Sequence, residues 1–317
     1  QPEKLRELLR EVMIRNTRAT SGVRLPPRTV RTVVVEQTPG EQALYTALLD
    51  LARQAPGRHK SVHRLLLEEA GSSAAAVART ARSAKAESSE RRSALDRLAA
   101  LAERTGASRK IDWLLDMIPG GKLLVFTRFR ATHEALMAEL EGRGIPCVAF
   151  AGGMSAEARA EATLEFRGPV DVMVCTEVGG EGQNLQFCHR LLNFDLPWNP
   201  MLIEQRIGRL HRIGQEEPVE VVNLCTAGTA EERILEVLDA RLNLFELVVG
   251  EMDLVLGEVE DERDFGEQVY DVYAASRGED DVRAGFAALG DRLAKARDRT
   301  ERTKEAAEAA FGDALGT

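Results

Sequence analysis

The chain has 317 residues, 44% of them hydrophobic, with 42 Lys/Arg against 51 Asp/Glu and a formal net charge of −9. This is enough apolar residue for a full core and for more than one module. No apolar run approaches the ~20 residues of a membrane helix and no signal peptide is expected, which excludes a helical membrane protein and points to a cytoplasmic one.

The charge is unevenly placed. Residues 1–35 hold eight Lys/Arg against three Asp/Glu, whereas residues 251–281 hold two against twelve, so the acidic total does not argue against a basic surface elsewhere. Cys147, Cys175, Cys188 and Cys225 are widely spaced with no CxxC pair, which points to reduced thiols and to no metal site. His59 and His63 have i, i+4 spacing but no third ligand nearby.

In chain order, Leu5, Leu8, Leu9 and Val12 predict an amphipathic helix over 3–15, within a basic arm (1–36) that carries Arg10, Arg15, Arg18, Arg24, Arg28 and Arg31. After Pro26-Pro27 the run TVRTVVVEQ reads as a strand. A helical section follows (37–106): Pro39 opens a helix with Ala43, Leu44, Ala47 and Leu48 on one face. A second helical run covers about 60–105. Its stretch between Ser72 and Ser93 is weakly apolar, which suggests a protruding hairpin or mobile segment outside the core.

From 107 to 250, apolar strands of four to seven residues (KLLVFT, PCVAF, VDVMVCT, RLLNFD, VEVVNLCT) alternate with amphipathic helices. That alternation implies an α/β fold, a mainly parallel sheet with helices on both faces. In such sheets ligands sit at the carboxyl ends of the strands. The rule singles out Thr127-Arg128, Gly152-Gly153, the turn from Thr176 to Gly182, and the loop after Asn193-Phe194-Asp195. A helix from Thr229 to Val249 is expected to start on a Thr229/Glu232 capping box. The remainder (251–317) is an acidic stretch and a final helix, Val282 to Phe311, without an assigned role.

The densest pattern is QRIGRLHRIGQ, Gln205 to Gln215. With residues 200–212 helical, Arg209 and Arg212 project from one face. Two adjacent guanidiniums repel, so such a pair is expected where a polyanion, most simply a triphosphate, neutralises both. A solvated arginine-rich face is the plain alternative, disfavoured by Gly208, Gly214 and the flanking glutamines. Trp198 in LPWNP reads as a packing anchor or a base-stacking residue, and His211 as a packing or hydrogen-bonding group.

ATP hydrolysis needs a phosphate cradle, a Mg²⁺ ligand, a water-orienting carboxylate and positive charge on the γ-phosphoryl. Gly120-Gly121-Lys122 is the nearest approach to a P-loop, but Leu123 follows where Ser or Thr is required. No DExH-type acidic strand end is present. The chain carries the arginine half of a composite site.

QRIGRLHRIGQ, TEVGGEGQNLQ, DLPWNP and VFTRF together resemble the C-terminal RecA-like lobe of Swi/Snf-type ATPases of superfamily two, with the bacterial RNA-polymerase-recycling branch most similar. The resemblance implies a fragment whose N-terminal RecA-like lobe, holding most of the contacts to ATP and Mg²⁺, lies outside it. Residues 37–106 would then form a protrusion and brace. It implies Arg209 and Arg212 as arginine fingers and Gln205 as a γ-phosphate or water positioner. Gly180, Glu181 and Gly182 would line the nucleotide cleft. Thr127, Arg128, Arg130, Gly153, Ser155 and Thr176 would grip the backbone of double-stranded DNA, although Ser155 reads equally as a helix N-cap.

The expected function is the motor lobe of a DNA-stimulated ATP hydrolase in a bacterial, nucleoid-associated protein, inactive by itself. RNA polymerase or another protein is a further expected partner. The alternatives are a non-catalytic protein-interaction module and a strand-separating helicase.

Overall fold

The computed structural model describes residues 25–54, 59–176, 185–242 and 264–315. Six strands form one parallel sheet: β1 (Arg28–Val35), β2 (Leu123–Thr127), β3 (Cys147–Phe150), β4 (Val172–Thr176), β5 (Arg190–Asn193) and β6 (Val219–Thr226), in the order β1-β6-β5-β2-β4-β3. Each lies where the apolar, β-branched runs predict it. Strand alternation divides the core. Leu123 and Val125 of β2 face one layer with Val172, Val174 and Leu192, whereas Leu124 and Phe126 face the other with Met173, Cys175 and Leu191.

Helices cover both faces. Leu114 and Met117 of α5 (Lys110–Met117) and Leu136 and Leu140 of α6 (Arg130–Gly142) pack on the first layer. On the second lie α7 (Ala156–Arg167) and α8 (Met201–Ile207) together with the helical section: α1 (Pro39–Gln54), α2 (Lys60–Ser72), α3 (Ala74–Ser83) and α4 (Ser89–Arg104). The fold is the expected RecA-like α/β architecture with helical additions. Among the described residues no helix is long and apolar enough to cross a membrane.

The first part of the stretch from Ser72 to Ser93 is a core element, contrary to the expectation from its weak apolarity, whereas residues 82–93 stay at the surface. Ala76, Val77 and Ala81 of α3 are fully buried against Leu95 and Ala99 of α4, because alanine lets helix axes approach closely. Arg92 closes the α3–α4 turn by donating to the carbonyls of Ala81 (2.7 Å) and Ala84 (3.1 Å).

After β6 comes α9 (Ala230–Leu242), then α10 (Phe265–Ala275) and the long α11 (Glu279–Leu315). Val282, Phe286, Leu289, Leu293 and Ala296 recur every three or four residues as the buried stripe of α11. The helices of the C-terminal section pack on the N-terminal helical section. Lys60 pairs with Asp271 at 2.8 Å, Arg64 with Asp264 at 2.8 Å, and the Tyr45 hydroxyl accepts from the Ala230 N–H at 2.9 Å.

Two local expectations are corrected. The helix of the arginine motif ends at Ile207: Gly208 follows as its C-cap, itself in right-handed geometry, and residues 208–212 continue as turns. The Thr229/Glu232 capping box does not form: the Thr229 hydroxyl donates to the Thr226 carbonyl, and Glu232 instead accepts from the Gly228 N–H. The opening helix over 3–15, the stretch 177–184, the end of the 229–249 helix and the acidic run up to 263 fall outside the described residues.

Candidate functional site

Asp195, directly after β5, ties the strand ends together. Its carboxylate accepts from the hydroxyls of Thr127 (2.5 Å) and Ser72 (2.6 Å) and from the Arg128 N–H (2.9 Å). Arg206 of α8 donates to the Asp195 carbonyl at 2.7 Å, to Asn193 Oδ1 at 3.1 Å and to the carboxylate at 3.4 Å. Asp195 and Arg206 are both buried, so this charge pair works in a low-dielectric setting, with both Arg206 terminal nitrogens hydrogen-bonded.

That network decides what the expected backbone-gripping residues present. Thr127 is 0% exposed and its hydroxyl is already used on Asp195, so its side chain lies inside the fold. Arg128 pairs with buried Glu68 of α2 at 2.6 Å. Arg130 stands 82% exposed and touches Glu134 one helical turn on. Thr176 is buried, and its Oγ1 accepts from the Gly152 N–H at 3.1 Å, which joins the ends of β3 and β4. Gly153 is exposed with φ 90°, a left-handed turn suited to glycine. Ser155 is the N-cap of α7, its Oγ accepting from the Ala158 N–H at 3.2 Å. Gly180, Glu181 and Gly182 lie outside the described residues.

The segment Gly208–Gln215 is pinned at several points. His211 Nε2 lies 2.9 Å from the Pro26 carbonyl. The buried Gln215 amide donates to the carbonyls of Cys188 (3.0 Å) and Leu210 (3.3 Å), while its oxygen accepts from the Glu216 and Glu217 N–H groups. Gln186 donates to the Ile213 carbonyl, and Gly214 turns the chain at φ 97°. On this loop the described residues give neither the half-buried Arg209 guanidinium nor the exposed Arg212 guanidinium a hydrogen bond or an ion pair. Gln205 is exposed on α8. Trp198 is buried, as a packing anchor would be.

Sequence reasoning missed the polar groups that hold this frame. Lys110 Nζ lies 3.0 Å from Glu231 Oε2 and 2.7 Å from the Gly71 carbonyl, while Glu231 also accepts from the N–H groups of Leu196 (3.0 Å) and Thr226 (3.1 Å). A signal was present: Lys110 stands at i−4 from Leu114 and i−7 from Met117, on the buried face of α5. Beside Glu68, burial pushes the Glu69 carboxyl up to about 8; it accepts from the Thr80 hydroxyl at 2.7 Å. The four cysteines are free, and no group of three or more His, Cys, Asp or Glu among the described residues could hold a metal ion.

Comparison with known proteins bears on this frame. Residues 109–214 match the family described as helicase conserved C-terminal domain. An uncharacterized ATP-dependent helicase, YqhH of Bacillus subtilis (strain 168), is 37% identical over 290 residues, 89% of this chain and 52% of that protein. The RNA polymerase-associated protein RapA of Vibrio vulnificus (strain CMCP6) is 34% identical over 193 residues, 58% of this chain and 19% of its own length. This chain therefore spans about half the length of the first relative and less of the second. Among solved structures, the C-terminal part of the Fun30 ATPase domain superposes with a TM-score of 0.54 at 16% identity, over 78% of this chain and 98% of that one. That likeness concerns the fold.

Proposed function

We propose that this chain, whose residues 109–214 match the helicase conserved C-terminal domain and whose fold is RecA-like, is the second motor lobe of an ATP-driven DNA translocase of the Swi/Snf type. ATP is split between it and a first lobe that supplies the P-loop. The observation that carries the reading is the pair Arg209 and Arg212: guanidiniums without a partner among the described residues, on a loop anchored at His211, Ile213 and Gln215. Guanidiniums with no carboxylate beside them are available to an anion, and the γ-phosphoryl group is the anion that the helicase resemblance implies.

In this reading Arg209 and Arg212 neutralise charge that develops on the γ-phosphoryl, and Gln205 orients the phosphate or the attacking water. Gly180, Glu181 and Gly182 line the nucleotide side of the cleft. Mg²⁺ is held by carboxylates of the first lobe, since the described residues of this one offer no acidic cluster.

The duplex runs past the ends of β2, β3 and β4. Arg130 offers an exposed charge, paired only at the surface with Glu134, and Gly153 with the N-terminus of α7 offers backbone N–H groups to a phosphate. Thr127 and Arg128 act one layer behind, through Asp195 and Glu68, and Thr176 holds the Gly152 turn. The name of the RapA relative makes RNA polymerase the first protein partner to test.

The deciding experiment replaces Arg209 or Arg212 by Ala in the complete protein. Turnover falls by about 10³-fold or more while nucleotide affinity changes far less. Retained turnover in both variants refutes the finger assignment.

A further inference from the structure

Residues 26–28 hold the arginine segment at two points. Arg28 Nη1 pairs with the buried Glu204 carboxylate at 3.0 Å, before the first arginine of the motif. Two residues earlier, the Pro26 carbonyl faces His211 Nε2 at 2.9 Å, between Arg209 and Arg212. The adjoining Pro27 carbonyl accepts from the Val219 N–H at 3.0 Å, which sets the entry into the β1–β6 pairing. A carbonyl oxygen only accepts, so a His211 hydrogen sits on Nε2, while buried Nδ1 has no hydrogen-bond partner among the described residues.

We propose that His211 is a positioning residue: its Nε2–H, held by the Pro26 carbonyl, fixes the turn between Arg209 and Arg212, so that the N-terminal segment sets where the two guanidiniums stand. The inference rests on the finger reading above and deepens it. Other anchors of the loop come from inside the lobe: Gln215 reaches Cys188 and Leu210, and Gln186 reaches Ile213. His211 alone among these ties the loop to the chain that precedes β1, 185 residues away in sequence. A displacement of residues 26–28 is thereby passed to the arginine loop through one hydrogen bond and one ion pair.

The test compares His211→Leu, His211→Gln and Arg212→Ala in the complete protein, with kcat and KM for ATP measured separately. His211→Leu removes the donor, whereas the side-chain amide of His211→Gln can place an N–H where Nε2 was. The leucine variant is expected to lose between about 10- and 100-fold in kcat with KM little changed, and the glutamine variant to recover most of it. Loss in Arg212→Ala with full kcat in His211→Leu overturns the positioning role and leaves the fingers standing. Full kcat in Arg212→Ala overturns the finger reading and this inference with it. Equal loss in the leucine and glutamine variants shows that the bond to Pro26 is not what matters. Should His211→Leu fail to fold, the imidazole ¹⁵N spectrum of the wild-type chain decides: Nε2-protonated His211 supports the proposal, and the Nδ1-protonated tautomer overturns it.

Discussion

The ammonium of Lys110 and the carboxylate of Glu231 lie 3.0 Å apart, with side chains 0% and 1% exposed, and close the gap between α5, the start of α9 and the Gly71 turn of the helical section. Removing one partner of such a pair strands the other charge in the core. Lys110→Met alone is expected to cost about 3–5 kcal/mol in urea denaturation of this chain. Lys110→Met with Glu231→Gln should recover only part of that: it removes both buried charges, but the two carboxylate oxygens accept separately from the Leu196 and Thr226 N–H groups and the amide has a single oxygen to replace them. A single variant that costs under about 1 kcal/mol contradicts the buried pair.

Glu69 gives the fold a pH dependence of definite sign. Its carboxyl rises from 4.5 to about 8 because burial disfavours the charge. Below 4.5 the group is protonated in both states and costs nothing. Between 4.5 and about 8 the unfolded chain loses the proton and the folded chain keeps it, so stability falls by up to about 1.4 kcal/mol per pH unit. Thermal melts of Glu69→Gln and wild type should therefore diverge in favour of the variant as pH is raised from 5 to 8. Parallel melting curves would contradict the burial of this group.

Gly214 stands at φ 97°, and a Cβ there would lie 2.9 Å from Gln186 Oε1. Gly214→Ala is expected to destabilise the chain by about 1–3 kcal/mol and to loosen the loop that carries Arg212. A lowered Tm together with reduced turnover in the complete protein is the expected pair of results. An unchanged Tm would show that the loop does not need this turn.

Arg130 and Arg128 should behave differently on DNA. Arg130→Ala is expected to lower duplex affinity without sequence preference and to reduce the salt slope by about one. Arg128→Ala should instead act mainly on stability, since it leaves buried Glu68 without this partner. Equal salt slopes for wild type and Arg130→Ala would remove Arg130 from the interface.

The six strands were legible because each is a short, β-branched or apolar run bounded by turn residues, and parallel sheets bury such runs on both faces. The arginine motif was legible as a pattern, and its helix length was not: Ile203, Ile207 and Leu210 keep a helical spacing past the point where Gly208 ends α8. Within residues 72–93, which looked too weakly apolar for a core, the part up to Ala81 is buried, because composition does not show that alanine faces pair closely. Least legible were Lys110, Asp195, Arg206 and Glu231. A buried charge and a solvated one read alike until the partner, tens of residues away, is in place.

The central claim, that this lobe completes an ATP site begun on another, is tested most directly by mixing the purified 317-residue chain with its separately expressed N-terminal lobe and measuring ATP hydrolysis with and without duplex DNA. The account predicts negligible turnover by this chain alone, DNA-stimulated turnover by the mixture, and loss of it when Arg209 or Arg212 is replaced by Ala. Steady hydrolysis by this chain alone, or a mixture indifferent to both arginines, would contradict it.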